Sequence, residues 1–310
     1  MTKNKTVGDR TFRSPFWKIG VVCLLFFVGD RLLFGLLKGG MDHYYGMDEE
    51  AVVVSIGHSH SVLGIDAQRL ERELGVPVAK YAFAGANTLD KYFMVRQFVR
   101  QHPSVKMVIY GVEPRLFDAK GLSSSSYTLF LPYLDDQQIG EYLLEQATWQ
   151  EYWGGRLVKT SRFRDQTINI GLRGLSGRIE NKKRGRVRVE DYTNYLIRAT
   201  ERKIRINPES VARFHETMAF LSQRGITVLL TFLPVLDRLN AIDPENQERV
   251  MKIFQEAAAG ETNIFFLDYN ALYQHEYQLF YDLRHLNREG NERVTSKLIE
   301  DIRQRMVPES

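Results

Sequence analysis

Cysteine is nearly absent from this chain of 310 residues, and the single one, Cys23, lies in an apolar N-terminal segment. The remainder therefore forms no internal disulfide and no cysteine-based metal centre. Internal repeats and low-complexity tracts are also missing, which excludes a repeat array. Charge of one sign does not dominate: 42 Lys and Arg against 38 Asp and Glu leave +4, too mild an excess to indicate nucleic acid. No small-x-small cleavage site closely follows the first apolar run, and Val22 before Cys23 is a poor lipoprotein signal. Both absences weigh against a removed leader.

What is present begins with that run. Lys3, Lys5, Arg10, Arg13 and Lys18 precede an apolar stretch over 19–28, which resumes at 32–37. One helix of about 20 residues reaches across a bilayer. The expected division is a basic cytoplasmic tail over 1–15, a transmembrane anchor over 16–38, and an extracytoplasmic domain over 45–310. Asp30 and Arg31 interrupt the apolar stretch. They pair with each other, or the helix ends early and continues along the membrane surface. The duller reading is an amphipathic helix packed on the domain.

Residues 51–56 read as a buried strand, a short β-branched run followed by turn residues. Further strands are expected at 76–83, 105–112, 226–233 and 263–267. Between them fall helical patterns at 66–74, 89–101, 211–223 and 244–258, and Asn287 is a good N-cap for a closing helix to about Arg305. This alternation predicts a three-layer α/β/α domain around a parallel sheet of about five strands. An insertion at 120–208 interrupts it. The insertion opens on a polar loop at Ser123–Ser126 and carries a helical stretch with Tyr142, Trp149, Tyr152 and Trp153. From Arg156 to Arg205 basic residues outnumber acidic ones, most densely over 181–186. Such a segment is a solvated insertion, or a cationic flap for an anionic glycan or anionic lipid head groups.

In parallel sheets, sites form at the carboxyl ends of the strands. The first strand ends in Gly57-His58-Ser59, a tight turn that exposes a serine. Asp282-Leu283-Arg284-His285-Leu286-Asn287 precedes the closing helix. An Asp and a His three apart supply a base and the carboxylate that orients it. Joined by the fold, the two segments make a serine-dependent acyl-transfer site. Each residue also has a structural reading. Ser59 or Ser61 caps the next helix, His285 is a surface histidine, Asp282 closes a turn, Glu113 is a solvated loop end, and Gly85 serves a turn of positive φ. His58 and His60 form a His-x-His pair that Asp282 or His285 would complete around a divalent ion. Against metal, His43, His102, His215 and His275 fall in expected helices or linkers, so neither metal nor cofactor is expected.

The order Gly-x-Ser after the first strand, a glycine turn after the second, a polar turn after the third and Asp-x-x-His before the last helix resembles the SGNH/GDSL hydrolase superfamily. The likeness covers about residues 50–114 and 225–306, and looks closest to membrane-anchored branches that O-acylate polysaccharides or teichoic acids. It implies Ser59 as nucleophile, His285 as general base and Asp282 as orienting carboxylate. It further implies oxyanion donors at the backbone of Ser59 and Gly85. Two departures stand out. The usual Gly-Asp-Ser is Gly57-His58-Ser59, and the asparagine expected after the third strand is replaced by Glu113, which leaves Asn87 as a substitute donor. The implied substrates are a cell-envelope glycan and an acyl donor, with room for a membrane-bound acyl-carrier partner protein and none for nucleic acid. A catalytically inactive relative that binds a glycan or an assembly partner is the second expectation.

Overall fold

A computed structural model of the chain describes residues 16–118, 126–188 and 203–306. The expected basic tail over 1–15, Ser123–Ser125 of the polar loop and the 189–202 part of the basic insertion lie outside the described residues.

Five strands form one sheet in the order β2-β1-β3-β4-β5, with β1 Val53–Gly57, β2 Val78–Ala82, β3 Met107–Val112, β4 Thr227–Phe232 and β5 Ile264–Asp268. All neighbours are parallel, with Val54 opposite Ala79 and Val108, and Leu229 opposite Ile109 and Phe265. The expected five-stranded parallel sheet is thus present, within two or three residues at the strand ends. Its strands are almost continuously buried because both faces are covered, and side chains alternate between the two faces. Val108, Tyr110 and Val112 join one core with Met94, Phe98, Phe214 and Phe254 of the helices Thr88–Gln101, Pro208–Ser222 and Pro244–Ala259. Met107 and Ile109 join the other core, with Leu70 of Ala67–Leu74 and Leu298 of the closing helix Arg288–Met306.

The N-terminal helix runs unbroken from Phe16 to Tyr45, past both Asp30 and residue 38. Its first half is bare, and its second half is part of the domain. Phe34, Leu37, Met41 and Tyr45 are buried at helical spacing, and the Tyr45 ring packs against Tyr81 and Phe83 at 5.4 and 4.9 Å. Large apolar side chains buried in this way contribute roughly 1.5–3 kcal/mol each.

The insertion wraps this second half. Helix Asp165–Leu175 lies so close that a Cβ on Gly174 would stand 1.7 Å from the Gly40 carbonyl oxygen, and one on Gly171 2.7 Å from that of Leu37. The insertion then returns to the far side of the sheet. Arg288 N–H donates to the Lys183 carbonyl at 2.8 Å, and Val187 N–H to that of Phe280 at 2.9 Å. Part of the basic segment is therefore a strap bonded to Phe280, Asn287 and Arg288, which flank the Asp282–His285 loop.

Gly174→Val is expected to force the two helices apart and to cost about 1–3 kcal/mol, as overpacking does. Gly154 has open space where its Cβ would stand, so Gly154→Ala is expected to stabilise by a few tenths to about 1 kcal/mol. Thermal melts of the full chain in detergent check both signs.

Candidate active site

The strand order reverses between β1 and β3, which places the loops after those strands on either side of a crevice. Ser59 is the first residue of the short helix Ser59–Gly64 that follows β1, and it is partly exposed. The helix packs against the strand ends because Gly57 and Gly111 lack side chains. A Cβ at either position would stand 1.9 or 2.5 Å from the Ser61 hydroxyl. The cap is neither serine: His58 is the N-cap, its Nδ1 accepting from the His60 N–H at 3.2 Å. The Ser59 hydroxyl stays free of capping.

The fold joins the two half-sites. Ser59 Oγ lies 2.9 Å from His285 Nε2, and His285 Nδ1 lies 2.8 and 3.0 Å from the Asp282 carboxylate oxygens. A carboxylate only accepts, so Nδ1 carries the imidazole proton and Nε2 presents its lone pair to the serine. Asp282 also closes its own turn, accepting from the N–H groups of Arg284 and His285 at 2.8 and 2.9 Å. The structural and chemical readings of Asp282 therefore hold together. Partial burial alone would raise its pKa, but the His285 hydrogen bond and the two backbone donors outweigh burial and hold it below the ordinary range. Asn287 anchors the loop, accepting from Gly290 N–H at 3.0 Å as cap of the closing helix and donating to the Gln278 carbonyl at 2.7 Å.

Glu113 is not a solvated loop end. It is buried after β3, 3.2 Å from His58 Nε2 and 4.0 Å from His60 Nδ1. Burial pushes its pKa up, against the pull of Lys91 and Arg284, and burial holds both histidines well below theirs, hence neutral. Gly85 has φ of +84°, the left-handed turn that glycine tolerates. Asn87 caps helix Thr88–Gln101 in a reciprocal box with Asp90, both bonds at 2.9 Å. The box engages its Oδ1 and its backbone N–H, and no described hydrogen bond links it to Ser59.

The metal set is also rearranged. Asp282 and His285 are taken by the serine relay, and among the described residues the ligand atoms within 4.8 Å of one another are those of His58, His60 and Glu113 beside it and, on the surface, those of His43, Asp48 and Glu49. That spacing suits a divalent ion, but the tautomer does not. Because His58 Nδ1 accepts a hydrogen bond, its proton sits on Nε2, which donates to Glu113. In this arrangement His60 and Glu113 alone offer lone pairs, too few to hold a metal ion as a closed site.

Sequence reasoning missed Lys91. It occupies the inward stripe with Met94, Val95 and Phe98, a charged residue at an apolar position, and that spacing was the available signal. Its ammonium is buried and donates to the Gly111 carbonyl at 2.8 Å, fixing the end of β3 that presents Glu113.

No family model matches the chain, and no curated protein matches it in sequence. Among solved structures, the chain is similar to a GDSL-like lipase from Bacteroides thetaiotaomicron at 11% identity and a TM-score of 0.42, covering 82% of this chain and 88% of that one. It is similar to a lipase/acylhydrolase from Enterococcus faecalis at 14% identity and 0.42, covering 83% and 98%. A catalytic mutant of an acetylxylan esterase from Geobacillus stearothermophilus gives 10% identity and 0.43, covering 81% and 94%.

Burial lowers Lys91 to about 8, against the pull of Glu113 and Asp90. Between about pH 8 and 10.4 the unfolded chain keeps a proton that the folded chain has released, so stability rises with pH across that window. Lys80, lowered to about 8 by burial, acts with the same sign. Lys91→Met is expected to remove part of the rise, at most roughly 3 kcal/mol. Unfolding midpoints at pH 7.5 and 10 measure it, and unchanged slopes would mean that the ammonium is solvated.

Proposed function

We propose that this chain is a membrane-anchored, serine-dependent acyl transferase or esterase of SGNH type that moves a small acyl group, acetyl by preference, onto or off a cell-envelope polysaccharide. The observation that carries the reading is the continuous relay from Ser59 through His285 to Asp282. Ser59 Oγ attacks the acyl carbonyl as His285 Nε2 takes its proton. The tetrahedral intermediate collapses, the imidazolium gives that proton to the leaving oxygen, and an acyl-serine remains. Water or a sugar hydroxyl then attacks, with His285 again as base, and the acyl group leaves Ser59. Asp282 stabilises the imidazolium at both stages.

A small cleft of about 60 Å³ lies beside His60, Glu113 and Arg284 and is floored by Val235, Leu239 and Ile242. Its apolar floor and modest size suit a short acyl group. A wider trough of about 740 Å³ starts at Asn87 and Thr88 and is lined by Tyr92, Tyr127, Gln138 and Arg213, the mixed aromatic and polar surface on which sugars stack and hydrogen-bond. Membrane attachment is supported by the bare apolar half of the N-terminal helix and its basic flank, with the domain on the far side. Cleavage after the apolar stretch, beyond residue 37, would strip Phe34 and Leu37 from the core, so retention is the better reading. An acyl-carrier protein in the same membrane would supply the donor.

Glu113 favours a second reading. A buried carboxyl bonded to His58 replaces the amide donor of the oxyanion hole, as in a glycan-binding protein that has lost turnover. Covalent trapping separates the two. A fluorophosphonate probe is expected to label the full chain at Ser59, and Ser59→Ala to abolish both labelling and hydrolysis of an activated acetyl ester. Asp282→Asn is expected to lower turnover by about ten-thousand-fold. Absent labelling assigns the cleft to binding alone.

A further inference from the structure

We infer that the outward face of helix Trp149–Leu157 is seated in the bilayer, at the depth where the N-terminal helix leaves it, so that the insertion grips the membrane as well as the anchor. The inference rests on reading the N-terminal helix as a membrane span. Trp149, Trp153 and Leu157 stand at i, i+4 and i+8, one stripe of the helix, and are 73%, 50% and 61% exposed, while Tyr152 and Gly155 face inward. Their depth is fixed by contact. The Arg31 guanidinium donates to the Leu157 carbonyl at 3.2 Å. One turn further on, Asp30 accepts from Lys159 N–H at 2.9 Å and from Thr160 N–H and hydroxyl at 2.8 and 2.6 Å, and it pairs with Arg31.

Helical arithmetic converts that contact into depth. A span of about 20 residues starting at Trp17 ends near Leu36, so the level of Arg31 lies about 7 Å inside the hydrocarbon boundary. The outer side of the N-terminal helix agrees, since Leu32, Leu33 and Leu36 stay exposed at that level. The occupant is therefore lipid: the stripe continues an apolar helix surface that only a bilayer covers. Indoles belong at the head-group level. This also accounts for Asp30. An acidic group at that depth is tolerated because protein donors, not lipid, surround it.

The chain has three tryptophans, Trp17, Trp149 and Trp153, so the full-length protein in nanodiscs reports on itself. In Trp17→Phe, emission from the two insertion indoles is expected to fall by about half in lipids brominated near the head group, and less in lipids brominated near the chain ends. The Trp149→Phe/Trp153→Phe variant isolates Trp17 as the reporter of the anchor. Quenching of Trp17 with red-shifted, unquenched emission from the insertion overturns this inference and leaves the anchor standing. Blue-shifted but unquenched emission assigns the stripe to a protein partner and also overturns it. An unquenched Trp17 overturns the anchor itself.

Discussion

All five strands run in one direction, and this constraint determines where chemistry can occur. Every carboxyl end falls on one edge, and the reversal between β1 and β3 opens a crevice there. Two segments more than two hundred residues apart meet because both are loops at that edge, one after β1 and one ahead of the closing helix. The Ser59–His285 contact of 2.9 Å is thus a consequence of topology. What the local residues add is precision. Gly57 and Gly111 allow the serine helix to sit on the strand ends, and Asn287 with the strap at residues 183–187 fixes the loop that presents the histidine.

Buried polar groups are the second theme, and several around the crevice are held by specific partners. His58 is both a helix cap through Nδ1 and a donor to Glu113 through Nε2. Lys91 spends its ammonium on a strand-end carbonyl. Asp90 is shared between a capping box and the Tyr142 hydroxyl at 2.7 Å. Unpaired, any of these would cost several kcal/mol of desolvation. Paired, they hold the crevice walls in one geometry. Against that background the buried His60 Nδ1, 4.0 Å from Glu113, and the buried Ser61 hydroxyl both lack a hydrogen bond close to the serine.

The sheet was legible because its strands are short β-branched runs punctuated by turn residues, and the helices because their apolar stripes repeat at helical spacing. The pairing of Ser59 with His285 and Asp282 was legible from their positions at strand ends. Three things were not. Asn87 reads equally as an amide donor or as the first residue of an Asn-x-x-Asp box, and that its Oδ1 and backbone N–H serve the box is visible only in the structure. The His-x-His pair carries no trace of its tautomer, which depends on the His60 N–H. Asp30 looked like a blemish in an apolar helix because its partners are mainly main-chain N–H groups of residues 159 and 160, which leave no mark in sequence.

The continuity of the N-terminal helix joins these themes. A tethered enzyme would have a polar linker between anchor and domain, whereas here one helix passes from the exposed segment into the aromatic cluster of Tyr45, Tyr81 and Phe83 beneath the sheet. Tyr81 belongs to β2, which pairs with β1, and β1 carries the serine turn. If the hydrocarbon ends near Leu36, roughly 10–15 Å of helix separates it from Tyr45. Rigid helix, packed sheet edge and serine turn then form one body, and Ser59 sits at a set height above the membrane. Such a site does not search for substrate on a flexible arm. On the function proposed above, donor and acceptor both have to be brought to that height.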